Sequence, residues 1–254
     1  TDKKVLHEIE LKRLSDSLFE RLVKRCKKMG WTDAYGMLEF QGRMHQQIAA
    51  FPNQYFYNGE LKNFLPKQEI PVPDYLQNVE NAPKFLKVLQ HYRSIFIKTE
   101  TETERNRNIE EAKTVVWLLN QLAPLFGPED LKDAIGVITP YRAQIAEIRR
   151  QLDEGAYPDI TVDTVERYQG GQKRIVIVSF AVNDFSQLRY LSVLNEDKTV
   201  DKRLNVTLTR AQDHLILIGN TDVLEHNPIY RQLVKHYSDQ NLVFAVPKSV
   251  RGES

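Results

Sequence analysis

Short runs of apolar residues at consecutive positions constrain this chain more than any other feature. Five segments, Ser94–Lys98, Ala134–Ile138, Ile160–Val165, Ile175–Phe180 and Leu215–Gly219, have the length of strands, and several carry apolar side chains without alternation. A strand wetted on one face alternates; a strand covered on both faces by helices does not. Helical patterns fill the spaces between. Asn108 opens one whose inward positions are Ala112, Val115, Val116, Leu119 and Leu122, and which stops before Pro124. Another follows Thr139-Pro140, where Thr can cap and Pro suits the first helical position; its face is Tyr141, Ile145, Ile148 and Leu152, with Gly155 at its end. Upstream, Ser17-Leu-Phe-Glu20 reads as a capping box for a helix whose apolar face is Leu18, Leu22 and Cys26 with Phe19 and Val23, and which Gly30 ends. Strand and helix in alternation with short joints predict an open, mostly parallel α/β sheet with helices on both faces. Residues 61–93 carry Pro66, Pro71, Pro73 and Pro83 with little periodicity, and the expectation is an excursion on the sheet's edge.

Charge and composition limit the function. The chain has 254 residues with 35 Lys+Arg against 34 Asp+Glu, a formal net charge of +1. That balance gives no global field for gripping a polyanion, so nucleic-acid contact has to come from local sites. The basic run Arg21–Lys28 reads as a solvated helix face. The longest apolar run, Ile175–Val182, is far short of the ~18 residues a membrane span needs. The single cysteine, Cys26, forms no internal disulfide, so a reducing compartment, cytoplasmic or nuclear, is expected. A single α/β domain over 1–254 is the expectation, and the start at Thr1 instead of Met reads as a piece of something longer.

Common catalytic signatures are missing. No GxxxxGK[ST] loop occurs to cradle phosphates, no GxSxG elbow, and the six His and one Cys offer no metal spacing. Stand-alone hydrolytic or metal chemistry is therefore not expected, and no residue is assigned to a metal.

Four blocks are more particular. In order they are Gln41-Gly-Arg-Met-His45, running on to Ile48-Ala-Ala-Phe-Pro52 and Phe56-Tyr-Asn-Gly59; Gly136-Val-Ile-Thr-Pro-Tyr-Arg-Ala-Gln144; Thr164-Val-Glu-Arg-Tyr-Gln-Gly170; and Leu204-Asn-Val-Thr-Leu-Thr-Arg-Ala211. Over about residues 15–222 they resemble the second RecA-like motor domain of superfamily 1 helicases, nearest the branch of the nonsense-mediated-decay helicase and senataxin.

The resemblance implies a RecA-like fold without its own phosphate loop, forming the C-terminal half of an ATP-dependent DNA or RNA helicase or translocase. ATP and Mg²⁺ would be held mainly by an N-terminal RecA-like domain outside this chain, so this chain alone is expected to be inactive. Arg43 and Arg210 fall on the family's two arginines that reach ATP across the cleft, where a planar cation meets charge spread over the γ-phosphate. Gln41, Gly42, Gly170 and Gln172 fall on nucleotide-facing positions, and Gly170 suits a close backbone approach or a tight turn. Thr139, Thr164 and Gln169 fall on positions that face the bound single strand; for Thr139 helix capping explains the same residue. His45 reads as a packed structural histidine.

Three positions depart from the family pattern. Gly42 stands where a tyrosine stacks on adenine, Gln172 where an acidic residue lies near the ribose, and Gln46 where a proline follows the first block. The first two leave a second reading open, a degenerate module that binds nucleic acid or protein without hydrolysing ATP.

Overall fold

The computed structural model describes residues 18–77, 79, 82–152, 155–168, 171–195 and 197–252. Contacts divide the chain into two compact units, residues 1–39 and 40–254. In the first, α1 (Leu18–Met29) ends at Gly30, whose φ of +71° suits a residue without a side chain. Ser17 of the expected capping box lies outside the described residues, and none of the α1 residues is buried.

The second unit is built on six parallel strands in the order β5-β4-β6-β7-β3-β8. They are β3 (Ser94–Lys98), β4 (Ile135–Ile138), β5 (Thr161–Asp163), β6 (Lys173–Ser179), β7 (Ala211–Gly219) and β8 (Val243–Ala245). A separate parallel ribbon pairs β1 (Phe40–Gln41) with β2 (Lys62–Asn63). The open, mostly parallel α/β sheet read from the apolar runs is the one observed, and it is consistent with the RecA-like fold that the resemblance implies.

Consecutive apolar residues are divided between two cores by the alternation of side chains along each strand. Phe96, Val176, Val178, Leu215 and Leu217 face one core, with α2 (Gln46–Phe56), α7 (Lys202–Leu208) and α8 (Pro228–Ser238). Ile95, Ile97, Ile175, Ile177, Ile216 and Ile218 face the other, with α3 (Lys84–His91), α4 (Ile109–Leu122) and α6 (Arg142–Gln151). Between α4 and β4 lies α5 (Pro128–Ala134).

Local chemistry explains most boundaries. Asn108 caps α4, its side chain accepting from Glu111 N at 2.8 Å, and Asp201 caps α7 through Arg203 N and Leu204 N. The inward face of α4 uses Leu118 as well, while Val116 is only half-buried.

Two expectations need correction. First, α6 starts at Arg142 behind an uncapped Tyr141, so Pro140 lies outside the helix and Thr139 does not cap it. The Thr139 N–H instead donates to Asp163 O, which keeps the chain extended one residue longer. Second, residues 61–93 do not follow an edge strand. Within this stretch Tyr75 meets His214 of β7 and Asp74 meets Arg174 of β6, at the leading ends of these central strands, while α3 packs in the second core.

Candidate nucleotide and nucleic-acid site

The two arginines come together through three loops. The Gln41 side chain shapes the first. Its Oε1 accepts from Arg43 N at 3.0 Å and Met44 N at 2.8 Å, while its Nε2 donates to Met44 O at 2.9 Å and Asn63 Oδ1 at 2.8 Å. That amide is committed to the loop and holds Arg43 in place. The Arg43 guanidinium crosses to the second and third loops, with Nε donating to Gln172 Oε1 at 3.0 Å and Nη1 to Thr209 O at 2.9 Å. Arg210 follows Thr209 directly, and its Nη1 donates to Gly171 O at 3.1 Å.

Positive charge accumulates here without compensation. Neither Arg43 nor Arg210 makes an ion pair with a carboxylate among the described residues. Burial, and then the neighbouring Arg43 charge, pull the Arg210 pKa below its usual value. Arg210 Nε is buried and finds no acceptor. Buried donors of this kind are uncommon, and an anion arriving beside them would satisfy them. Gln41, Gly42, Arg43, Gln172 and Thr209 line a recess of about 420 Å³ that Tyr57 and Leu61 complete, and no carboxylate lines it. This is a donor set suited to an oxyanion.

Gly42 is exposed on the recess wall. Its φ lies outside the left-handed region, and a Cβ there would meet Leu65 Cδ1 at 3.4 Å, an ordinary contact. Glycine is therefore not imposed at this position by backbone conformation. Gln46, in place of the family proline, opens α2 without disturbance. His45 is buried and caps α2, Nδ1 accepting from Gln47 N; burial lowers its pKa to about 4, so it is neutral near pH 7.

The residues expected to face the nucleic acid lie elsewhere. Arg43, Arg210 and Gln172 stand at the leading ends of β6 and β7, whereas Thr139 and Thr164 stand just beyond the far ends of β4 and β5. Thr139 is fully buried, and its hydroxyl finds no partner. It lines a cavity of about 20 Å³ with Arg203 and Thr207, room for one water. Its hydroxyl does not reach the surface as the resemblance implies. Thr164 is half-buried and bonds Glu166, which pairs with Arg203 at 2.9 Å. Gln169 and Gly170 lie outside the described residues. The Tyr168 hydroxyl donates to Thr161 O at 2.6 Å and packs where any side chain on Gly136 would stand.

The sequence reading missed Thr209, Tyr57 and Arg203. Thr209 contributes a backbone carbonyl, which no residue type announces. Tyr57 and Arg203 were inside or beside recognised blocks but carried no separate signal. Arg203 lies on α7, whose seven residues span about 10 Å, with Arg203 and Thr207 beside Thr139 and the chain beyond its far end delivering Arg210. Among the described residues no group of three His, Cys, Asp or Glu could hold a metal, and no helix is long and apolar enough to cross a membrane.

A family described as an AAA domain matches residues 14–222. An uncharacterized ATP-dependent helicase of Methanocaldococcus jannaschii is 32% identical over 233 residues, covering 89% of this chain and 32% of the relative. A regulator of nonsense transcripts 1 homolog of Arabidopsis thaliana is 31% identical over 245 residues, 92% of this chain and 18% of the relative. Helicase sen1 of Schizosaccharomyces pombe is 30% identical over 239 residues, 90% of this chain and 13% of the relative. The chain thus spans a third or less of these curated relatives. With a match over most of its length, the chain belongs to this AAA-domain family, and it is similar to helicases that include the nonsense-transcript regulator and Sen1.

Proposed function

We propose that this chain is the second RecA-like motor half of an ATP-dependent DNA or RNA helicase or translocase, supplying Arg43 and Arg210 to ATP hydrolysis and part of the single-strand track. The observation that carries this reading is that two half-buried arginines, neither paired with a carboxylate among the described residues, lie within electrostatic reach of each other, Arg43 lining a recess without acidic residues and Arg210 following its lining residue Thr209. ATP with Mg²⁺ supplies the phosphoryl group and its leaving group. The residues fit the nucleotide's phosphates and offer nothing to the metal, so Mg²⁺ belongs to the partner N-terminal RecA-like half.

In this reading Arg43 is held by Gln172 and Thr209 O until the two halves close. Both guanidiniums then face the γ-phosphate, whose developing charge relieves their mutual repulsion. Arginines acting in this way are worth roughly 10³–10⁵ in rate. Gln41 acts through the loop it shapes, and Gly42 and Gln172 form the wall beside the base and ribose, while Gly170 is assigned to the nucleotide on the resemblance alone. Thr164 and Thr139 border the strand side, to which the resemblance also assigns Gln169. There Thr139 acts through the cavity it shares with Thr207 of α7, so movement at the strand side reaches Arg210 along one helix. Binding by such motors takes hold of backbone and stacked bases with little sequence preference.

A second reading, a non-hydrolysing binding module, is favoured by Gly42, which gives adenine no ring, and by Gln172, which already occupies Arg43. The two separate in a phosphate-release assay on this chain and on the longer parent, with and without single-stranded DNA and RNA. The motor reading expects turnover by the parent that nucleic acid stimulates, and background rates for this chain. A parent without turnover sinks the motor reading. Turnover by this chain that survives repurification sinks the division of the site between two halves.

A further inference from the structure

A second recess, of about 340 Å³, lies beneath the leading ends of β3, β6 and β7, and Arg43 is the only residue it shares with the first. Its lining includes four cations, Arg43, Lys67, Arg93 and Arg174, against two carboxylates, Asp74 and Asp213. Both carboxylates are engaged by one cation. Arg174 Nε donates to Asp213 Oδ2 at 2.7 Å, its terminal nitrogens bond Asp74, and the guanidinium lies over the Tyr75 ring at 4.6 Å.

Arg93 is left differently. It is only 2% exposed, yet it hydrogen-bonds no carboxylate. Nη2 donates to Ile70 O at 2.7 Å, Nη1 makes a long contact to Asp213 O at 3.4 Å, and Nε has no acceptor. Beside it, His45 Nε2 lies near the same Ile70 carbonyl without closing a hydrogen bond. Since His45 Nδ1 accepts from Gln47 N, Nε2 carries the proton and is a second unused donor. Burial pulls the Arg93 pKa down, and the nearby Asp213 and Asp74 charges oppose that only in part. Buried charges are normally paired and hydrogen-bonded. Exposed Lys67 stands at the rim.

We propose that this recess binds a small phosphate-class oxyanion, with Arg93 and His45 donating from the floor and Lys67 and Arg43 from the rim. Its size admits more than one phosphate group, so the ligand is a free phosphate or a small phosphate ester. Because Arg43 borders both recesses, occupancy here bears on the position of that arginine.

Calorimetric titration of the 254-residue chain with inorganic phosphate, at ionic strength held constant with chloride, tests the proposal, with thermal melting as the folding check. Saturable binding is expected. Lys67→Ala, an exposed change, should weaken it at least threefold, Arg93→Met should abolish it, and Arg210→Ala should retain it within twofold. A parallel titration with glycerol 3-phosphate separates the two sources: tighter binding than phosphate assigns the site to an ester, weaker binding to the free ion. No saturable binding overturns the proposal. So does binding that survives Lys67→Ala and disappears in Arg210→Ala, which would locate the anion in the first recess. If Arg93→Met does not fold, the contrast between Lys67→Ala and Arg210→Ala decides.

Discussion

Glu111 on α4 offers the sharpest test of how the far end of the sheet is held. It is fully buried, and Oε2 accepts from Ser179 Oγ at 2.7 Å and from Ala181 N at 2.9 Å. Oε1 has no partner. Ser179 in turn accepts from Gln144, so one carboxyl ties α4, α6 and the end of β6 together. Burial, the largest cause, pushes its pKa from 4.5 up to about 8. The unfolded chain ionises this group near 4.5 and the folded chain keeps the proton to about 8. Unfolding between those values releases a proton. The contribution of Glu111 is therefore full below about pH 4.5 and is lost as pH rises to about 8. At about 1.4 kcal/mol per pH unit the loss reaches about 5 kcal/mol. Buried His45 and His214, lowered to about 4 and about 3, act in the opposite sense: their contribution is lost as pH falls below 6.5. Glu111→Gln copies the neutral acid and removes only the first effect. Urea denaturation of both proteins from pH 5 to 8 should give stabilities within about 1 kcal/mol at pH 5. At pH 8 the variant should be more stable by a few kcal/mol. Equal pH slopes in the two proteins would refute the reasoning.

Two further outcomes follow from the recess and the charge. In the longer parent, Gly42→Tyr should tighten binding of a fluorescent ATP analogue by roughly 5- to 150-fold, because a stacked base is worth ~1–3 kcal/mol and the backbone accepts a side chain there; a folded variant with unchanged affinity refutes the missing-ring account. This chain alone, with a net charge of +1, should bind single strands weakly and lose binding as salt rises; tight, salt-insensitive anisotropy on one sequence would favour the binding module instead.

The strands were legible because both their faces are apolar, and that pattern has no competing explanation at this length. Their ends were less so. Lys173, Arg174 and Ala211–His214 extend β6 and β7 because ladder hydrogen bonds do not depend on side-chain polarity. Val243–Ala245 and the β1–β2 ribbon are too short to carry a pattern. The arginine pair was legible only from motif order, since nothing local joins positions 43 and 210. The burial of Thr139 was not legible, because it depends on Asp163 extending the chain past β4. The Arg174–Asp74–Asp213 cluster joins residues 100 and 39 positions apart, a distance at which spacing says nothing.

The central claim is that Arg43 and Arg210 act on the transferring phosphate. Single-turnover ATP hydrolysis by the longer parent, measured for Arg43→Ala and Arg210→Ala beside nucleotide affinity and circular dichroism, tests it directly. The account predicts folded variants that still bind ATP and lose roughly 10³–10⁵ in rate. Losses below about threefold for both variants, less than ~0.7 kcal/mol in the barrier, would contradict it.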